Sequence, residues 1–410
     1  MKPVQQFRTH QMPAPESSAF SAPLWGSAFR PFYLLGALYA PLLMVVWAGA
    51  YLGVWRAPSS ALPLGLWHGH EMVFGFAAAI ITGIVLTALP SWAGTREIHG
   101  RPLALLAALW LGGRLAWWAA PSLPPLVVAV ADNLLFPAVF VMVAPQLLRA
   151  ANPLYLLLLP VLAALSGANL ACHAGLVGGD PALAGLGLRA GVYAVIVLYV
   201  LKGGVLTPIF TGNALREKGR GDQAPFRLTL DVAAVALVAL LAGFDLAGAP
   251  AAATGAAALA CTLIHAWRVA RWQGWRVADV PLVLIMHLGF AWLIFAFALK
   301  TVAELTGFVP ETAWLHAFTV GSLGMMMLGL MTRVSLRHTG RPLHLPPAMR
   351  LAGVLVFAAA LVRLAASVHE LDAWVVAVAA LLWTSVFVIY LSRFGTILLA
   401  PSLARGGAKR

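Results

Sequence analysis

The chain has 410 residues, 61% of them hydrophobic and only 10% charged, with a formal net charge of +13. Water-soluble domains normally carry about a quarter charged residues, so a soluble globule is excluded and a polytopic membrane protein is expected. The positive balance then reads as Lys and Arg gathered in cytoplasmic loops, not as a nucleic-acid surface.

Residues 1–31 are polar and Pro-rich and contain no apolar core, so they are expected to be a cytoplasmic segment without a cleavable signal peptide. Apolar runs near the ~20 residues that a bilayer demands follow at 32–54, 66–90, 102–120, 124–148, 153–176 and 187–210. The second half supplies 227–248, 250–272, 279–302, 312–334, 347–369 and 372–396. The pattern predicts an all-α protein with one domain of twelve transmembrane helices over 32–396, closed by a basic cytoplasmic tail at 397–410. Of the 27 Lys and Arg, 21 fall in the N-terminal segment, alternate loops and the tail, and the opposite loops hold only Arg56, Arg189 and Lys300. Both termini are therefore expected on the cytoplasmic side. Cys172 and Cys261 lie in separate apolar runs, where thiols pack as small hydrophobes, and no disulfide framework is expected.

A repeat marks the cytoplasmic ends of three runs. Gly83-Ile84-Val85-Leu86-Thr87 resembles Gly204-Val205-Leu206-Thr207, and Leu330-Met331-Thr332-Arg333 is a weaker third copy. The threonines are 120 and 125 residues apart, four helices in each interval. This suggests three four-helix modules in which helices 2, 6 and 10 are equivalent; chance similarity between apolar helices is the alternative.

Given that orientation and a rise of ~1.5 Å per residue, the polar residues inside the runs gather near the outer face. His68, His70 and Glu71 begin helix 2, His316 begins helix 10, and Asn169 and His173 end helix 5, with Arg114, Asp132 and Arg363 in the same half. Ionisable groups are costly in lipid and by default mark a site. His70 and His316 are matched in depth and on different helices, as two axial ligands of a haem iron would be; an interhelical hydrogen bond is the alternative for either one. Arg114 and Arg363 are placed to pair with haem propionates, or with Asp132. His68, two residues from His70, points to the far side of the helix and shares its face with Glu71. Those two are candidates for a second, metal-binding or catalytic site that His173, with Cys172 beside it, could complete. His287 lies deeper, as a possible ligand or proton-transfer group. Lys202 is expected to snorkel to the cytoplasmic interface. The run Met325-Met326-Met327 reads as packing.

Three motifs then stand together. Trp67-His68-Gly69-His70-Glu71-Met72-Val73-Phe74-Gly75-Phe76, Thr207-Pro208-Ile209-Phe210-Thr211-Gly212-Asn213-Ala214-Leu215 and Met331-Thr332-Arg333-Val334-Ser335-Leu336-Arg337-His338-Thr339-Gly340-Arg341-Pro342 resemble the NnrS family, in order and over nearly the whole chain. The resemblance implies a protein of the bacterial inner (cytoplasmic) membrane that carries haem b, one or two copies, together with copper, and acts in the response to nitric oxide and nitrosative stress. A more distant resemblance is to the catalytic subunit of haem–copper oxidases and nitric oxide reductases, where histidines of helices 2 and 10 hold the low-spin haem; these map onto His70 and His316. The likeness fails at the second centre, because helices 6 and 7 contain no histidine.

The expected function is binding and reduction of nitric oxide with electrons from quinol or another membrane donor. A catalytic centre would be built from His68, Glu71 or His287. The alternatives are a non-redox transporter or metal-handling protein, and a haem-based nitric oxide sensor.

Overall fold

The structure, a computed structural model, describes residues 19–56, 63–150, 153–369 and 371–403. Lys2 and Arg8 of the N-terminal segment, and Arg405, Lys409 and Arg410 of the tail, lie outside the described residues. Helices stand at each of the twelve expected places: α1 Phe29–Tyr51, α2 Leu64–Ala93, α3 Arg101–Trp118, α4 Pro125–Leu147, α5 Leu154–Val177 and α6 Pro181–Glu217. They continue as α7 Leu228–Leu246, α8 Ala251–Arg271, α9 Pro281–Thr306, α10 Glu311–His338, α11 Pro347–Val368 and α12 Ala373–Leu399. Among the described residues there is no strand. Ten of these helices are long and apolar enough to cross a membrane. The other two are α3, which carries Arg101 and Arg114, and α8, which carries Arg268 and Arg271.

Local chemistry sets the boundaries. Proline stands in the first turn of α3, α4, α6, α9 and α11, where its missing N–H costs nothing. Asp180 caps α6 by accepting from the N–H groups of Ala182 and Leu183, which extends that helix six residues before its expected start. Gly94 and Gly307 close α2 and α9 at φ +66° and +68°, a conformation that a Cβ would oppose. The fourth helix is interrupted between Asn133 and Leu135. Pro137 explains the break, since it has no N–H for the Asn133 carbonyl four residues back and its ring crowds that carbonyl.

Neighbours in sequence pack as neighbours in space, α5 on α6, α8 on α9 and α11 on α12, and the chain closes on itself where α1 packs against α12. Arg30, buried at the start of α1, fastens the closure by donating to the carbonyls of Leu398 and Ala400 at 2.8 and 2.6 Å and to Ser402 Oγ at 2.9 Å. Outward-facing positions stay apolar: Leu38, Leu42 and Val45 are each 53% exposed along one stripe of α1. In water such a stripe would be a liability, whereas lipid is a suitable solvent for it.

Three helices contain a π-helical turn, at Glu71–Ala77 in α2, Tyr199–Gly203 in α6 and Ala317–Leu323 in α10. These are the three that the repeat equates, and among the described residues no other helix has such a turn. Together they line an apolar cavity that includes Ile81, Val85, Leu198, Leu206, Met326 and Leu330. Beyond Trp92, Leu206 and Leu330 it adjoins a wider vestibule bordered by Thr87, Asn213, Arg333 and Arg337.

Candidate functional site

The first turns of α2 place His68 and His70 on opposite sides of one helix, as two residues at ~100° each require. They enter two different clusters. His70 is fully buried and turns toward α4 and α5, while His68 turns toward α10 and α12.

Around His70 the packing is tight. Its ring stacks on Trp117 with centroids 3.7 Å apart and planes 12° from parallel. Nδ1 lies 3.1 Å from Glu71 Oε1, and Nε2 lies 2.9 Å from Asn169 Oδ1 and 3.1 Å from Asp132 Oδ2. The same Asp132 oxygen is 2.7 Å from His173 Nε2 and accepts from Asn169 Nδ2 at 3.0 Å. The guanidinium of Arg114 joins the two acids, pairing with Glu71 Oε1 and Asp132 Oδ1. The Tyr39 hydroxyl donates to Glu71 Oε2 and accepts from Trp118 Nε1 at 2.7 Å. Gly75 makes room for this arrangement: a Cβ there would lie 2.9 Å from the Tyr39 ring and 3.0 Å from Arg114 Nη1. One ligand atom each from His70, Asp132 and His173 lie within 4.8 Å of one another, an arrangement able to hold a metal ion.

The second cluster is a cleft lined by His68 and His316 with Arg363, and walled by Met44, Trp47, Met72, Val320 and Trp383. His68 packs on Trp47 at 4.4 Å between centroids, and its Nδ1 is buried without a hydrogen-bond partner. His316 directs Nδ1–H to the Thr312 carbonyl at 2.7 Å, which fixes its tautomer and leaves Nε2 as the basic nitrogen. Arg363 donates to Ser367 Oγ at 2.7 Å, and among the described residues it has no carboxylate partner. The cleft thus brings together apolar walls, two imidazoles from different helices and a guanidinium that among the described residues has no carboxylate partner.

The expected pairing of His70 with His316 is therefore not the one the structure makes, since His68 shares the cleft with His316. Glu71, expected on the side of His68, bonds His70 instead. The Arg114 guanidinium and the Tyr39 hydroxyl hold its carboxylate there. Arg114 takes the acids of the first cluster, whereas Arg363 faces the cleft. His173 joins His70, not His68. Cys172 and Cys261 are free and buried, and neither is in the metal-like cluster. His287 belongs to neither site: its Nε2 meets Thr211 Oγ1 at 2.8 Å, and its ring packs over Gly274. Lys202 lies 5.0 Å from the Trp92 ring centroid and 4.7 Å from that of Tyr155, a cation held by aromatic faces.

Sequence reasoning missed Tyr39, Trp117 and Trp118, which carry no charge to mark them in an apolar run. It also left Lys300 in a loop, although it is buried and bound to Asp245 at 2.6 Å and Glu304 at 2.7 Å. The i, i+4 spacing of Lys300 and Glu304 was the available signal.

A family model described as NnrS protein matches residues 23–402, nearly the whole chain. No curated protein matches.

Proposed function

The chain belongs to the NnrS family, and on that premise we propose that it is a multi-pass protein of the bacterial inner membrane, in the nitric oxide and nitrosative stress response, that holds haem b between His68 and His316. The proposal includes twelve spans in three four-helix modules with both termini cytoplasmic, one domain over 32–396, and reduction of nitric oxide by electrons from quinol or another membrane donor. The observation that carries it is the cleft itself, which offers two imidazoles from different helices and an Arg363 that among the described residues has no acid partner. When bound, haem would supply one-electron exchange and an iron at which a diatomic ligand could bind.

The protein's own contribution is positional. The Thr312 carbonyl orients His316, Trp47 orients His68, and Arg363 offers a bidentate donor to a propionate. The walls are apolar, so they offer these polar groups no competing partner.

Purified protein should show a Soret band that His68→Ala or His316→Ala removes and His70→Ala retains. Anaerobic consumption of nitric oxide with reduced quinol then tests turnover. Loss of the band in His70→Ala alone would return the ligand to His70, and a full haem complement with zero consumption would reduce the role to binding or sensing. Transport is the second reading, favoured by the cavity between α2, α6 and α10 and the polar vestibule beside it. Its repeat runs in one orientation, unlike the inverted halves common in transporters.

A further inference from the structure

We propose that the vestibule between the far ends of α2, α6 and α10 binds an amphipathic anion, a phosphate or carboxylate head on an apolar chain, independently of the haem reading. The haem cleft lies at the opposite ends of α2 and α10 and draws on the first of the three sequence motifs, with no residue from 207–215 or 331–342. Those two motifs meet in the vestibule instead. Phe210 and Asn213 of α6 and Arg333, Val334 and Arg337 of α10 line one cavity of about 530 Å³, within the ~300–1,000 Å³ that small-molecule sites occupy.

The polar groups at its rim are donors. The Arg333 guanidinium lies 3.8 Å from the Phe210 ring centroid, so one face is covered while the edge donors stay available. Among the described residues neither Arg333 nor Arg337, one turn further on, forms an ion pair, whereas Arg216, Lys218 and Arg220 near the end of α6 pair with Asp222 or Asp279. Asn213 accepts from Arg216 through Oδ1 at 2.6 Å, which leaves its amide nitrogen as a further donor. Thr87 Oγ1 accepts from the Phe29 N–H at 2.8 Å and keeps its own proton to give. Donors therefore come from all three helices. Two guanidiniums face one carboxylate, Glu217, among the residues that line the cavity, which leaves one positive charge over. An anion answers both features, and the guanidinium fork suits the paired oxygens of a carboxylate or phosphate.

A bare inorganic anion would leave most of the wall unused. Ile84, Leu206, Ile209, Val283, Leu330 and Val334 are apolar, and past Trp92, Leu206 and Leu330 lies the apolar cavity between the three π-turn helices. The charged residue of that inner cavity, Lys202, sits against the Trp92 and Tyr155 rings. Covering apolar surface is favourable in proportion to its area, so a chain joined to the anionic head adds affinity there. A bilayer phospholipid and a single-chain phosphate or carboxylate share this chemistry.

The test measures uptake of decyl phosphate by the full-length protein in neutral-detergent micelles, by equilibrium dialysis against protein-free micelles. Wild type should show about one saturable equivalent per chain. Arg333→Gln and Arg337→Gln should each weaken it about tenfold or more. Arg350→Gln, which alters a basic residue at the same end that does not line the vestibule, should bind as wild type does. Decanol and inorganic phosphate, each with half of the chemistry, should compete about tenfold less well than decyl phosphate. Lipid phosphorus in the protein as purified tells the two sources apart: an excess of about one per chain over Arg333→Gln identifies a bilayer phospholipid, and no excess identifies a single-chain amphiphile. The proposal is overturned if wild type takes up no saturable decyl phosphate, or if Arg333→Gln and Arg337→Gln both bind as wild type does. It is equally overturned if Arg350→Gln loses as much as they do, the outcome for general surface charge, or if inorganic phosphate competes as well as decyl phosphate.

Discussion

Arg114→Met isolates what holds the His70 cluster together. The Arg114 side chain is 4% exposed and both of its acid partners are fully buried, so its removal strands two carboxylates that water cannot reach. Breaking a buried pair from one side costs about 3–5 kcal/mol. Each stranded acid can escape by taking up a proton, at about 4 kcal/mol for an ordinary carboxyl at pH 7, which sets a ceiling of the same size. We expect Arg114→Met to lose about 3–5 kcal/mol in reversible denaturant unfolding in mixed micelles. The sign of the coupling is the sharper readout. Adding Glu71→Gln to Arg114→Met removes one uncompensated charge, so the double variant should be more stable than Arg114→Met alone. A loss below about 1 kcal/mol for Arg114→Met, or strictly additive losses in the double variant, would refute the account.

Two further outcomes follow from other parts of the fold. Arg30→Met removes the donor to Leu398, Ala400 and Ser402 and should cost about 2–3 kcal/mol, with faster hydrogen exchange at 396–403 while the Soret band stays. A uniform change across the chain would contradict a local fastening. In the loops after α6 and before α9, the Arg220 hydrogen bond holds the Asp279 carboxyl down to about 2, below its ordinary 3.8. A depressed carboxyl stabilises above its ordinary value and loses that contribution as pH falls through about 2. Exchange protection of 218–223 should therefore drop between pH ~4 and ~2, and should already be low and flat with pH in Asp279→Asn. Because these groups are exposed, high salt should weaken the effect.

Much of this protein was legible in its sequence because lipid imposes a strict rule on length and polarity. All twelve helix positions stand within a few residues of expectation, except where Asp180 lengthens α6. Helices 2, 6 and 10, which the repeat equates, are the ones that carry π turns among the described residues, though the turn in α6 lies nearer its threonine than the other two do. The expected spans α3 and α8 are not among the ten helices long and apolar enough to cross a membrane, because their arginines lower their hydropathy. For Lys300, Glu304 at i+4 was the local signal, whereas its other acids, Asp245 and Glu311, come from other segments and left no local trace.

The sequence by itself determined that His68 and His70 serve opposite faces of one helix, because the angle between them follows from helical geometry. It also led to the expectation that these costly groups lie near one another, and Arg114, Asp132 and His173 do meet His70. Which histidine faces α10 was decided only in the tertiary structure. The rotation of a helix about its own axis depends on side-chain packing against its neighbours, here Trp117 against His70 and Trp47 against His68. Arg114 and Tyr39 from neighbouring helices decided the side of the Glu71 carboxylate, and the Pro137 break in α4 lies just after Asp132, the acid that His173 and Asn169 approach from α5.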